Sequence, residues 1–143
     1  MDHVAILKPS WHLLEKILDG RKTIESRWYV SRYPPWNRIQ RGEVVYFKNA
    51  GAPITVKAIV TKVMQFADLT PEKIRDLYTA YGKEIGAENI DSSIACNAHK
   101  KYCILIFLEH AVAVEPFHIN KKGFGISAAW LVVKNIDAIR REQ

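Results

Sequence analysis

The residues best suited to bind a ligand lie in one stretch of the chain, between positions 27 and 41. It contains no acidic residue and carries four arginines: Arg27, Arg32, Arg38 and Arg41. Four aromatic residues lie among them: Trp28, Tyr29, Tyr33 and Trp36. A guanidinium group pairs with phosphate oxygens, and an aromatic ring stacks on an unpaired base. The stretch is typical of a surface that binds single-stranded or looped nucleic acid, although one or two of its aromatic side chains could instead anchor the loop to the core.

The segment just before this stretch, residues 20–27, has the sequence GRKTIESR. We expect a strand over residues 22–28, whose alternation places Glu25 and Arg27 on one face and Lys22 on the other. Glu25 and Arg27 would then lie about 7 Å apart along the strand, close enough to share a ligand or to pair with each other. The spacing leaves both interpretations open.

A second basic segment, residues 120–125, has the sequence NKKGFG. Lys121 and Lys122, beside flexible glycines and an exposed Phe124, could clamp a nucleic-acid backbone, which would position the ligand without reading its sequence. A solvated hairpin tip would have the same composition. The segment lacks the spacing of a P-loop, so that kind of phosphate site is excluded.

Metal and thiol chemistry receive little support from the sequence. Cys96, His99 and Cys103 share a short window but lack a fourth ligand and a zinc-site spacing. A cysteine such as Cys103, inside an apolar strand, usually behaves as a small hydrophobic residue. We therefore predict no metal site and no cofactor.

Length and composition narrow the class of protein. The chain has 143 residues, of which 48% are hydrophobic and 25% charged, as expected for one globular domain over residues 1–143. No apolar run approaches the roughly 20 residues of a membrane span, and the first residues lack the features of a secretory signal. We expect a cytoplasmic protein with no membrane partner. The net charge of +6 favours a phosphate-bearing partner, with nucleic acid foremost.

The apolar pattern predicts the elements that must position these residues. Six segments read as strands: residues 4–7, 22–28, 44–47, 54–64, 102–114 and 130–133. Cap residues mark two helices, one that begins after Ser10, includes Trp11 and ends at Gly20, and one from Thr70 to about Tyr81. Short helical segments are expected within residues 86–99 and 137–143. Because the helices do not alternate regularly with the strands, we predict the α+β class, with a small mixed β-barrel and helices packed outside it.

Four residues of the GRKTIESR segment form a recognisable motif. Gly20, Lys22, Glu25 and Arg27 give the pattern G-x-K-x-x-E-x-R, which resembles the signature of the ASCH domain, named for homology to activating signal cointegrator. The order of elements also matches, since a strand and a helix precede the motif and a strand beginning GEVV follows it. The resemblance covers roughly residues 3–114.

The resemblance implies a PUA-like mixed β-barrel with flanking helices, a fold family that includes RNA-binding domains. It also implies a cleft between barrel and helices that takes nucleic acid or a nucleotide-like ligand. The positions that match its lining are Lys22, Glu25 and Arg27, with Lys48 and Asn49 at the end of the next strand.

The leading hypothesis is therefore an RNA- or nucleotide-binding module. Four basic residues would hold phosphates: Arg32, Arg38, Lys121 and Lys122. One of Trp28, Tyr29 and Trp36 would stack on a base. Glu25 and Asn49 would read the polar edge of that base.

Two alternatives are left open. One branch of the resembled family consists of amidohydrolases that deacylate modified cytidine nucleosides, with a lysine and a threonine from the motif. Lys22 matches the lysine and Glu25 stands at the threonine position, so these two would be the catalytic pair, and a free modified nucleoside would be the substrate. The other alternative is a protein-interaction domain whose aromatic loop docks on a partner protein. The sequence does not decide whether the protein is an enzyme, nor its oligomeric state.

Overall fold

A curled, mixed β-sheet forms the centre of the molecule. The computed structural model describes residues 1–125 and 127–141. The strands are β1 (Asp2–Leu7), β2 (Ile24–Tyr29), β3 (Val44–Asn49), β4 (Ile54–Phe66), β5 (Tyr102–Ile119), β6 (Trp130–Val133) and β7 (Arg140–Arg141). Their order is β2-β5-β4-β3-β1-β6, and β7 pairs with the end of β5. β1 and β3 are parallel, and β1 pairs with β6 in antiparallel fashion. The sheet forms a half-barrel.

Three α-helices flank the sheet: α1 (Leu13–Leu18), α2 (Pro71–Ile85) and α3 (Ile90–Asn97). The Thr70 side chain caps α2 by accepting a hydrogen bond from the Lys73 amide, as its residue type predicts. In the described part of the chain, no helix has the length and apolar character needed to cross a membrane. The arrangement confirms the predicted α+β class.

The first predicted helix begins later than its apolar spacing indicates. Residues Pro9–Trp11 form a short 3-10 turn, and His12 then has a φ of 53°. A residue in this left-handed region cannot continue a right-handed helix, so α1 begins only at Leu13. Ser10 is therefore not its cap, and Trp11 lies outside the helix with 57% of its surface exposed.

The predicted end of the longest strand at Glu115-Pro116 is also wrong, because β5 continues to Ile119. The register between β4 and β5 shifts, so that Ile54 pairs with Phe117 whereas Val56 pairs with Ala113. Pro116 falls in this irregular stretch, where its missing N–H group removes no ladder hydrogen bond.

The predicted helical tail is only partly helical. A 3-10 turn, Ile136–Ala138, is followed by the extended residues of β7. Residues 142 and 143 of the predicted tail lie outside the described residues.

The two faces of β2 have different surroundings. Ile24 and Trp28 pack with Leu77 and Tyr78 in the apolar layer between the sheet and α2. Tyr29 packs instead on the core inside the half-barrel. Glu25 and Arg27 share the face of Tyr29 by alternation, so the motif points its charges toward the inner side of the sheet.

A buried histidine joins the first strand to the last part of the chain. His3 is fully buried, and the Trp130 indole N–H donates to its Nδ1 atom at 3.0 Å. Because an indole nitrogen can only donate, His3 Nδ1 must be unprotonated. The Nε2 atom lies 2.9 Å from Glu43 Oε1 and carries the ring proton. Burial lowers the pKa of His3, and Glu43 only partly offsets this effect.

This arrangement predicts that the protein loses stability as pH falls below about 6.5, the ordinary histidine pKa. The unfolded chain then binds a proton that folded His3 cannot accept without losing its bond from Trp130. The free energy of unfolding, measured by urea titration at several pH values, should fall in wild type between neutral pH and pH 5.5. His3→Asn should remove this dependence, whereas His110→Asn, at an exposed position, should retain it. An unchanged slope in His3→Asn would contradict the assignment.

Candidate nucleic-acid interface

The three charged residues of the motif meet in one buried cluster at the start of β2. Lys22 Nζ lies 3.3 Å from Glu25 Oε1, and Arg27 Nη2 lies 3.2 Å from Glu25 Oε2. The side chains of Lys22, Glu25 and Arg27 are 2%, 4% and 12% exposed. The predicted alternation is wrong for Lys22, because β2 begins only at Ile24 and the lysine side chain can turn toward Glu25.

Every group in this cluster has several partners. Lys22 Nζ donates to the carbonyl oxygens of Ile24 at 2.8 Å and Ile85 at 2.7 Å. With Glu25, these contacts occupy all the hydrogens of the ammonium group. The Ser26 amide donates to Glu25 Oε1 at 3.1 Å. The Ile85 carbonyl is at the C-terminus of α2, where a cation is favoured. The cluster therefore fastens the motif to the helical layer.

The charges of the cluster stabilise one another. Burial lowers the pKa of Lys22, and the carboxylate of Glu25 counteracts part of this effect. Burial alone would raise the pKa of Glu25, but the charges of Lys22 and Arg27 outweigh it and hold that pKa below its ordinary value. Glu25 is therefore an anion at neutral pH, with both oxygens occupied by residues of the protein.

Arg27 reaches from β2 to the far edge of the sheet. Its Nη1 atom donates to the Ala129 carbonyl and its Nη2 atom to the Ile6 carbonyl, each at 3.3 Å. The guanidinium group also lies 5.1 Å from the centre of the Trp130 ring. Because β2 and β1 are not neighbours in the sheet, this side chain fixes the position of residues that the strand ladder leaves apart.

Ile6 and Ala129, whose carbonyl groups accept hydrogen bonds from Arg27, line a pocket that we call the basic pocket. It has a volume of about 250 Å³ and is lined by residues 6–8, Ala50, Lys121 and residues 127–129. Lys8 and Lys121 contribute the charges, and none of the described lining residues is acidic. The Lys121 ammonium donates to the Ala128 carbonyl at 3.1 Å. A cavity with cations and no carboxylate suits an anionic group such as a phosphate.

A third lysine lies next to the basic pocket. Lys48, in β3, is the register partner of the pocket residue Ile6, and it is buried. Burial lowers the pKa of Lys48, and the charge of Lys121 lowers it further. Within residues 1–125 and 127–141, Lys8, Lys48 and Lys121 form no ion pair with an acidic side chain.

Asn49 adds an unsatisfied acceptor at the same place. Its Oδ1 atom is buried and has no hydrogen-bond partner in the described part of the chain. Asn49 directly precedes Ala50, which lines the pocket, and it pairs in register with Leu7, which also lines it. The fold thus brings Arg27 and Lys121 close to the consecutive residues Lys48 and Asn49.

A larger groove, of about 610 Å³, lies between the end of α1 and the end of α2. Two of the cations that line it are already paired, since Lys16 lies 2.8 Å from Glu88 and Arg21 lies 2.7 Å from Asp19. A further carboxylate, that of Glu84, also lines this groove. The groove therefore offers an anion less uncompensated charge than the basic pocket does.

The aromatic residues of the 27–41 stretch are partly used in packing. Trp28 stacks on Tyr78 with ring centres 4.8 Å apart and lies on the helical side of the sheet. The Tyr29 hydroxyl donates to the Pro34 carbonyl at 2.8 Å. Trp36 contacts Tyr102 edge-on, at 5.2 Å between ring centres. All three are half-buried, and their stacking on a base stays a prediction.

Three of the four arginines of the stretch, all except the largely buried Arg27, are in contrast on the surface. Arg32 and Arg38 are exposed, and neither pairs with an acidic side chain in the part of the chain described here. The Arg32 guanidinium lies 5.5 Å from the centre of the Tyr102 ring. Lys122 is exposed as well, whereas Phe124 does not project as expected but packs on the core formed by β1, β5 and β6.

Comparison with solved structures identifies the fold. The crystal structure of ASCH from Zymomonas mobilis superposes with a TM-score of 0.68 at 15% identity, over 96% of this chain and 90% of that chain. A tyrosine-to-phenylalanine variant of that protein gives a TM-score of 0.69 at 15% identity, over 96% of this chain and 93% of that one. The chain has the ASCH-domain fold. Neither a family model nor a curated protein matches the sequence.

The similarity confirms the predicted α+β fold, a mixed β-barrel with flanking helices, in which the sheet curls into a half-barrel. At 15% identity the similarity establishes the fold alone, so the roles of individual residues depend on the geometry of this chain. That geometry adds Lys8, which sequence reasoning missed. Lys8 directly follows a strand and precedes Pro9, a position at a strand end that could have marked it as a residue of a site.

The motif cluster predicts a large loss of stability when its carboxylate is neutralised. Glu25→Gln leaves Lys22 and Arg27 buried without a counter-charge, which should cost about 3–5 kcal/mol of unfolding free energy. Urea unfolding monitored by fluorescence measures this loss. Asp19→Asn, which removes the carboxylate of the exposed Arg21 pair, serves as the matched control and should leave the unfolding midpoint nearly unchanged. Equal midpoints for Glu25→Gln and wild type would show that the cluster contributes little.

Proposed function

We propose that the protein binds RNA and holds one of its phosphate groups in the basic pocket. The observation that carries this proposal is a cavity lined by Lys8 and Lys121, with the buried Lys48 beside it and no carboxylate among the described lining residues. Bringing like charges together is unfavourable, and a bound phosphate would relieve that repulsion. Lysine is a common phosphate-binding residue because it places a compact charge with several donors.

The surface near the pocket would hold more of the RNA backbone. Arg27 donates to the carbonyl groups of two residues that line the pocket, and Tyr29, two residues later in β2, is followed by the exposed arginines. Arg32 and Arg38 would contact further phosphates. Lys122, which follows the pocket residue Lys121, would contact another. Such contacts supply affinity and orientation but carry no sequence information.

Asn49 is the residue suited to read a base. Its Oδ1 acceptor is buried beside the pocket, so a nucleotide N–H group would bind it after the side chain turns toward the pocket, and the bond would satisfy a polar atom that otherwise costs free energy. Of the three half-buried aromatic residues, Trp36 is the best placed to stack on a base, since Trp28 already stacks on Tyr78. Glu25, with both oxygens bonded, would act indirectly by positioning Arg27.

RNA binding fits the geometry better than deacylation of a modified cytidine. A nucleoside would have to reach Lys22 and Glu25, whose side chains are 2% and 4% exposed and are bonded to each other. We expect no release of the acyl group when N4-acetylcytidine is incubated with the protein and the products are separated chromatographically. Turnover that disappears in Lys22→Met, with the fold intact by circular dichroism, would establish the enzymatic alternative instead.

The binding proposal predicts a salt-dependent affinity with identifiable contributors. Titration of labelled single-stranded RNA at several salt concentrations should give a linear dependence of log Kd on log salt. Lys121→Ala and the double variant Arg32→Ala/Arg38→Ala should weaken binding. Each should also reduce the slope by about 0.7 for every phosphate that the variant no longer neutralises.

A charge-matched control distinguishes specific contacts from net charge. Arg21→Ala removes a positive charge from the larger groove and should change neither the affinity nor the slope. If the Lys121 and arginine variants behave like Arg21→Ala, the assignment of these contacts is wrong. Binding to a protein partner through the aromatic stretch would instead be nearly insensitive to salt.

A further inference from the structure

Two aromatic side chains are exposed among the described residues, Trp11 and Tyr33, and of these only Tyr33 contacts another aromatic ring, that of Tyr29. Trp11 has 57% of its surface exposed, whereas Trp130 is 5% exposed and Trp28 and Trp36 are half-buried. Tryptophan gains more than most residues from leaving water, because its side chain offers a large apolar area. Single exposed apolar residues are common on protein surfaces, so a ligand for this ring is inferred from its surroundings.

Hydrogen bonds of the local backbone order the turn that carries this ring. The amide of Trp11 donates to the Lys8 carbonyl at 3.1 Å, and the amide of His12 donates to the Pro9 carbonyl at 3.2 Å. Pro9 restricts the backbone at the start of this turn. The ring therefore projects from an ordered 3-10 turn, which lowers the entropy that a ligand must overcome when it packs on it.

Trp11 also adjoins the basic pocket. The Lys8 ammonium lies 4.8 Å from the centre of the Trp11 ring, and Lys8 is one of the residues that line the pocket. An aromatic ring and a phosphate-binding cavity thus share one lysine. This combination of a cationic cavity and an adjacent stacking surface is what proteins use to bind single-stranded nucleic acid, in which each base is attached to a charged backbone.

We propose that Trp11 is the stacking platform for an unpaired base of single-stranded RNA whose neighbouring phosphate occupies the basic pocket. This inference rests on the proposed function and adds to it the contact that selects unpaired over paired nucleic acid. Base stacking on an aromatic ring requires a base that is not stacked within a duplex. The lysines Lys8 and Lys121 would hold the phosphate while the indole holds the base.

Fluorescence and binding together test this assignment. A short oligouridine and an oligoadenosine are titrated into wild type, Trp11→Phe and Trp11→Ala, with Kd read from the anisotropy of the labelled RNA and indole quenching recorded in parallel with unlabelled RNA. Trp11→Ala should weaken binding about 5- to 150-fold, the effect of losing one stacked base, whereas Trp11→Phe should stay close to wild type because it keeps an aromatic face. The salt slope should be unchanged in both, since the phosphate contacts are all retained.

Quenching provides a readout that a merely structural role would not change. RNA should quench the indole fluorescence of wild type, and the quenching should be clearly smaller in Trp11→Phe, which still binds and retains only the contribution of the other tryptophans. Val112→Ala, which trims another exposed apolar side chain on β5, is the matched control and should leave Kd and quenching unaltered. Equal unfolding temperatures would show that all variants fold.

The outcomes separate this inference from the proposal on which it rests. If wild type binds neither RNA at low salt, the RNA-binding function fails and the role of Trp11 fails with it. If wild type binds with a salt slope that Lys121→Ala reduces, but Trp11→Ala binds as tightly as wild type, the pocket is correct and the stacking role is overturned. Binding of duplex RNA as tight as that of single strands would also overturn it.

Discussion

The ion cluster of Lys22, Glu25 and Arg27 is the interaction on which the rest of the structure depends. Each charge loses favourable hydration when it is buried, a penalty of several kcal/mol per ion. The penalty is offset because the carboxylate contacts both cations and the cations contact backbone carbonyls. Through Lys22 the cluster reaches the end of α2, and through Arg27 it reaches β1 and the segment before β6. One carboxylate thus joins the helical layer to β1 and the segment before β6. In the described part of the chain, neither β1 nor β6 pairs directly with β2.

The charges of the basic pocket are separate from those of the cluster. Both oxygens of Glu25 are engaged by Lys22 and Arg27. Lys48 and Lys121 repel each other, and neither forms an ion pair with an acidic side chain in the described part of the chain. Natural proteins accept such local losses of stability where a ligand restores the balance. The stability of the fold and the affinity that we propose for the pocket would thus be provided by different charges.

Local patterns in the sequence predict much of this fold, and long-range contacts limit the prediction. β6 has the predicted bounds Trp130–Val133, and the helix after Thr70 begins as its cap indicates, because both depend on neighbouring residues. Strand alternation fails for Lys22, since its position is set by the carbonyl of Ile85, 63 residues later. The prediction that Trp11 lies in a helix is wrong for a local reason, because the left-handed backbone of His12 interrupts a helical spacing that is otherwise regular. The sequence identifies the motif residues. Their ion pairs and hydrogen bonds in the folded chain decide which of them can bind a ligand.

The parallel pairing of β1 with β3 explains why the residues of the basic pocket lie close together. Parallel strands bring their carboxyl ends to the same side of a sheet, so Leu7 and Asn49 are register partners and the residues that follow each strand meet. Lys8 follows β1 and Ala50 follows β3, and both line the basic pocket. Lys121 completes it from a loop that follows β5. The charged residues of the pocket therefore lie just beyond strand ends. At such positions a substitution can change the side chain without disturbing the hydrogen bonds between the strands.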